Sequence, residues 1–140
     1  MATADRWAPW IEPTVALAAN QTINSTTPAI LSGVAAAFTP HVNTRAVIPV
    51  AINAINSGPA GYTLIAGLLV NSVPQAARLN LILAPGLQDQ ATFLYSIDLL
   101  ALTTYSFVIE AYVNVAGGSY LIVQNQSGLG PMTAMPNLHS

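Results

Sequence analysis

Cysteine and lysine are both missing from this 140-residue chain, and charge of either sign is scarce: three basic and five acidic residues make up 6% of the sequence. The absence of cysteine excludes a disulfide framework and thiolate chemistry. It fits synthesis in a reducing cytoplasm. Three widely spaced arginines and a net charge of −2 give no basic stripe to neutralise phosphates, so nucleic acid is not an expected partner. Long apolar runs are also missing. Mean hydropathy is positive, but Asn, Pro, Gly, Arg or Asp interrupts every stretch before the ~20 residues a spanning helix needs, so no membrane partner is expected. The first residues lack a basic segment followed by an apolar run, so no signal peptide is expected and the mature chain is expected to begin near Met1.

Catalytic and metal-binding patterns are scarce as well. His41 and His139 share no ligand spacing, and no cysteine can complete a zinc site; both are read as solvated loop histidines. Asp89 reads as a turn former and Asp98 as a loop or cap residue. A hydrolase built on two carboxylates would have to bring them together from distant positions. There is no nucleophile elbow, phosphate-binding glycine loop or calcium-loop acidic ladder. The sequence therefore predicts neither an enzyme nor a cofactor. The sequons at Asn20, Asn24 and Asn125 imply no glycan without a secretory signal.

What is present is apolar: 53% of the residues. An average soluble domain is about one-quarter charged. A monomer with so little surface charge is poorly protected against association, so self-assembly is expected to cover much of the exterior.

Residues 1–13 carry both tryptophans, Trp7 and Trp10, with Pro9 between them and Pro13 after, and read as an extended N-terminal arm. Indoles are enriched at interfaces. The arm either docks on a neighbouring protein or folds back on its own domain. Residues 14–140 read as one β-sandwich. Tyr105–Val115 alternates with period 2, placing Phe107, Ile109, Ala111 and Val113 on one face and Ser106, Glu110 and Asn114 on the other. Gly117-Gly118 and the β-rich run Ser119–Gln124 follow, predicting a hairpin.

Further strands are expected at Ala29–Phe38, Arg45–Ile55, Tyr62–Val70, Leu79–Leu83, Thr92–Ile97 and Met132–Leu138, with Pro49 demoting part of the second to an edge or a bulge. Pro74–Arg78 has the makings of one helical turn. Phe93–Leu102 fits a helical face too, but its β neighbours favour a strand and a loop. Seven or eight strands at this spacing predict an all-β antiparallel jelly-roll sandwich. Glu110 is read as solvated on an outer face, or as the partner of Arg45 or Arg78 across a subunit boundary.

In its strand order and composition, the succession of Ile23-Asn-Ser-Thr-Thr-Pro-Ala-Ile30, the Tyr62–Val70 strand, Leu102-Thr-Thr-Tyr-Ser-Phe107, Gly117-Gly118 and Met132-Thr-Ala-Met135 resembles small jelly-roll virion proteins of tailed bacteriophages, of the capsid-decoration or fibre-knob type. That resemblance implies a homotrimer made in the host cytoplasm and resident in the virion. Its arm would contact the major capsid protein or another virion protein. The competing reading is a carbohydrate- or receptor-binding β-sandwich module, for which the five tyrosines are candidate platforms.

Overall fold

The computed structural model describes residues 10–11 and 15–136. Among them every regular element is a strand. Two antiparallel sheets pack face to face as a sandwich.

The larger sheet is organised around β5 (Thr44–Asn56). One edge of β5 pairs with β9 (Gln88–Leu99) over twelve successive positions, from Thr44↔Leu99 to Ile55↔Gln88. Its other edge is shared by three short strands: β11 (Tyr120–Ile122), β12 (Gly128–Leu129) and β13 (Thr133–Pro136). Outside these lie β3 (Gln21–Ile23) on β11, β2 (Val15–Ala16) on β12 and β1 (Trp10–Ile11) on β13. The smaller sheet runs from β4 (Ala29–Phe38) through β10 (Tyr105–Val113) to β6 (Thr63–Val70), which also pairs with β7 (Val73–Pro74) and β8 (Leu79–Ile82).

Period-2 alternation decides which face of each strand is buried. Ala46, Ile48, Val50, Ile52 and Ala54 of β5 are at most 2% exposed, as are Leu64, Ala66 and Leu68 of β6 and Phe107, Ile109, Ala111 and Val113 of β10. These rows face each other across the sandwich in one continuous core that also takes in Leu31, Ile122 and Leu129. Two phenols tie the sheets together. The Tyr95 hydroxyl of β9 donates to the Ala77 carbonyl at 2.6 Å, and the Tyr120 hydroxyl of β11 donates to the Tyr62 carbonyl at 2.5 Å while accepting from the Leu83 amide at 3.1 Å. Burial of the Tyr95 ring pushes its hydroxyl pKa above the ordinary tyrosine range.

All eight anticipated strands form, and Phe93–Leu99 belongs to a strand as favoured. Three expectations need correction. The hairpin expected through Gly117-Gly118 does not form, because both edges of β10 are already taken by β4 and β6. Residues 114–119 instead carry the chain across to the other sheet, where β11 inserts between β3 and β5. Pro49 lies inside the central strand, not on an edge. Its carbonyl accepts from the Gly130 amide, so its missing N–H faces the gap where β12 gives way to β13, and no ladder bond is lost. Residues 74–78 form no helical turn. Asn71 and Ser72, at φ 49° and 66°, make a two-residue turn that sends the chain back along β6. Pro74 there occupies a non-bonded position of β7, and the Gln75 amide continues the ladder to the Leu68 carbonyl.

Candidate functional site

The described charged residues are Arg45, Arg78, Asp89, Asp98 and Glu110, and two ion pairs take up four of them. Arg45 of β5 stands opposite Asp98 of β9 on the outer face of the larger sheet. Its Nε and a terminal nitrogen donate to the two carboxylate oxygens at 2.9 and 3.0 Å, a bidentate fork. The hydrogen bond from Arg45 holds the Asp98 carboxyl below its ordinary range, and the same bond raises Arg45. A carboxyl depressed in the folded state contributes stability that is fully present above its unfolded pKa and is lost as pH falls through the lowered folded pKa. Asp98→Asn is therefore expected to remove that contribution at neutral pH, a small loss for an exposed pair, and to flatten the acid limb of the stability curve below about pH 4, the two proteins converging once the carboxyl is protonated, measured by urea unfolding across pH. An unchanged acid limb would count against it.

Arg78 just precedes β8 and reaches across β6 to Glu110 on β10, with a guanidinium nitrogen 2.5 Å from Oε1. The path exists because Gly67, the register partner of Glu110, has no side chain: a Cβ there would stand 2.6 Å from that nitrogen and 2.7 Å from Arg78 Cδ. The Glu110 side chain is 9% exposed and that of Arg78 24%. This corrects the reading of Glu110 as solvated. The pair closes within one chain, so the carboxylate needs no partner from a second copy. Asp89 and Asp98 are corrected as well: both lie within β9, on opposite faces and about 30 Å apart at ~3.4 Å per residue, so one chain cannot join them in a two-carboxylate site. Among the described residues, no three His, Cys, Asp or Glu side chains gather as metal ligands.

Of the five described charges only Asp89 stands outside an ion pair. What the described exterior presents is apolar, notably at the end of the sandwich where the loop between β4 and β5 meets the loop between β9 and β10. Leu100 is 62% exposed and Leu102 76%, with Val42 beside them. These side chains stand on a fixed base. The Leu102 amide donates to the Pro40 carbonyl at 2.7 Å, Ala101 to Asn43 Oδ1 at 2.9 Å and Leu100 to the Tyr105 hydroxyl at 2.9 Å, and the Thr39 and Thr104 hydroxyls bond at 2.8 Å. Leu102 itself sits at φ 62°, a left-handed conformation costing a bulky residue roughly 1–2 kcal/mol. A strained, solvent-facing leucine on a tip braced by four hydrogen bonds is a presented side chain, and apolar groups clustered in this way mark contact surfaces. His41 lies exposed on the same tip.

A second feature is a shallow depression of about 310 Å³ on the outer face of the larger sheet, among Ala51, Gln90, Gln126, Gly128 and Leu129. It is lined by amides and small residues and has no charged or aromatic wall. Asn53 organises the adjacent loop, donating to Gln126 Oε1 at 2.6 Å and accepting from Gln88 at 2.8 Å.

Of the residues expected at an interface, Arg45, Arg78 and Glu110 are accounted for by these pairs. Trp7 and His139 lie outside the described residues. Trp10 and Ile11 pair through their backbones with Ala134 and Thr133, so this part of the arm extends the chain's own sheet. Sequence reasoning missed the Arg45–Asp98 fork and the leucine tip. The outward parity of both fork residues was readable, but their register was not.

No protein-family model matches the chain, and neither does any curated protein. Solved structures do. A chain of infectious bursal disease virus, Gt strain, aligns with a TM-score of 0.56 at 15% identity over 90% of this chain and 36% of its own length. A chain of the T13 viral particle of the same virus aligns with a TM-score of 0.51 at 16% identity, over 90% and 34% respectively. The chain thus spans about a third of the length of these matches. They share its fold, an antiparallel all-β jelly-roll sandwich.

Proposed function

We propose that this chain is a virion structural protein that works by assembly. The observation that carries the reading is the exterior: both described arginines are consumed in ion pairs within the chain, while leucines stand on a braced tip. Such a surface suits copies packed against one another or against a shell. A fold shared with chains of viral particles supports it. In its finer form the protein is a homotrimer that decorates or stabilises a tailed-phage capsid, or caps a fibre. The N-terminal arm, with Trp7 and Trp10, then contacts the major capsid protein or another virion protein.

The carbohydrate-binding alternative loses ground, because two of its candidate platforms, Tyr95 and Tyr120, are buried with their hydroxyls engaged in tying the sheets.

Native mass at micromolar concentration and copy number on purified particles test the proposal directly. Apolar assembly is also expected to be insensitive to salt, since screening acts on charges and leaves apolar burial nearly untouched. The dissociation constant is expected to move by less than tenfold between about 0.05 and about 1 M sodium chloride, a range of Debye lengths from above 10 Å to roughly 3 Å. A hundredfold weakening would assign the contact to charges, and a monomer at all concentrations would remove the premise.

A further inference from the structure

The two sheets end in edges of very different character. At one side of the smaller sheet, β4 is obstructed. The Gln21 side chain lies along it as a strand would, donating from Nε2 to the Ile30 carbonyl at 3.0 Å and accepting at Oε1 from the Ser32 amide at 2.9 Å. Beyond that point, Gly33 at φ +75° and a register shift against β10 break the line of the strand. These are known means of keeping an edge from pairing. The remaining outer strands, β1, β2, β3, β7 and β8, are two to four residues long.

The exception is β9. It runs twelve residues and, among the described residues, pairs with β5 alone. The Asn56 amide bonds the Leu87 carbonyl, which sets the phase of that ladder: odd-numbered residues of β9 bond to β5, and even-numbered ones turn their N–H and C=O groups outward. Gln90, Thr92, Leu94 and Ser96 therefore present a row of donors and acceptors along a strand with no proline, no lysine and no bulge. All four are exposed. Leu94, at the middle, is 61% exposed beside Pro49.

We infer that this edge pairs antiparallel with β9 of a second copy, joining two of the larger sheets across a two-fold axis at Leu94. The partner follows from what a copy of this chain has to offer. Its β4 edge is already taken by Gln21 and its other edges are too short, leaving β9 as the complementary unpaired strand. An antiparallel pair on a two-fold axis is self-complementary. With Leu94 against its own copy, Thr92 faces Ser96 and Gln90 faces Asp98, so no like charges meet. Asp98 is in any case held by Arg45. Leu94, otherwise exposed, is covered by its symmetry mate. The contact rests on the assembly reading proposed above and names one of its surfaces: it joins two trimers, or two single copies.

The absence of cysteine makes the test clean. Leu94→Cys carries the sole thiol and, in an antiparallel bonded pair with Cα atoms about 5.5 Å apart, lies within disulfide reach of its mate. Mild oxidation is expected to give a covalent dimer, whereas Ile82→Cys, equally exposed but on the other sheet, stays uncrosslinked. Leu94→Lys places charge on the axis without touching the core. It is expected to lower the native mass at least twofold and to remove the amide-exchange protection of Thr92, Leu94 and Ser96, with the remaining strand amides unchanged as a check on folding. Cross-linking of Leu94→Cys no better than that of Ile82→Cys, or an unchanged mass for Leu94→Lys, overturns the contact while leaving self-association intact. A covalent dimer from a protein absent from purified particles would instead retain the contact and overturn the virion reading.

Discussion

Replacing Arg78 with methionine is expected to lower the unfolding free energy by about 3–5 kcal/mol, the loss typical when one partner of a buried ion pair is removed and the other charge is stranded. The Glu110 side chain is 9% exposed and Arg78 supplies its ionic partner. Methionine keeps most of the stem that lies over Gly67, so the loss reports the charge and not a void. The double variant Arg78→Met/Glu110→Leu is expected to recover most of the loss, because a buried pair replaced by apolar groups of similar volume is often neutral or better. Urea unfolding of the single and double variants decides this. A single-variant loss below about 1 kcal/mol, as for an exposed pair, would show that water reaches Glu110 easily.

Gly128→Ala is expected to lose at least about 3 kcal/mol, combining overpacking with backbone strain. An added Cβ would stand 2.2 Å from the Val15 carbonyl oxygen and 3.0 Å from Ala16 Cα, with the backbone at φ +149°. No flexible side chain can move aside there, since both neighbours are backbone of the paired strand β2. Gly86→Ala is the control. It also has positive φ, +81°, but nothing lies within 4 Å of the added carbon, so the expected loss is only the roughly 1–2 kcal/mol of a left-handed L-residue. Equal losses at the two positions would assign the whole effect to dihedral strain.

Much of the fold could be read from the sequence because strand formation is announced locally. The alternation read at Tyr105–Val115 appears in the structure as Tyr105–Val113, and the run at Ala29–Phe38 with the same limits. Partner choice is another matter. The Gly117-Gly118 pair looked like a hairpin turn because the runs flanking it were β-rich. That both edges of β10 were taken depended on β4 and β6, far away in sequence. Pro49 misled in the same way: a proline forbids one ladder bond, but only the placement of β12 and β13 reveals that none was required there. Glu110 fell on the polar parity of its strand, yet its burial depends on a bare glycine in β6 and an arginine just before β8. The Arg45–Asp98 fork needed the β5–β9 register. Sequence carried the periodicity, while the site was written in pairings between distant strands.

The three short strands that share one edge of β5 bear on how the chain reaches this state. They all come from residues 120–136, while β5 occupies residues 44–56. During synthesis the long strand at the centre of the larger sheet is therefore made well before most of its neighbours on that edge. Until they arrive, the backbone groups along that edge of β5 lack the strands that pair with them. Pairings this distant in sequence fold slowly, since a long loop must close before any contact rewards it, and open strand edges are the species that misassemble meanwhile. A chain truncated before residue 120 would leave the central strand half-paired, so the larger sheet closes only once residues 120–136 have been made.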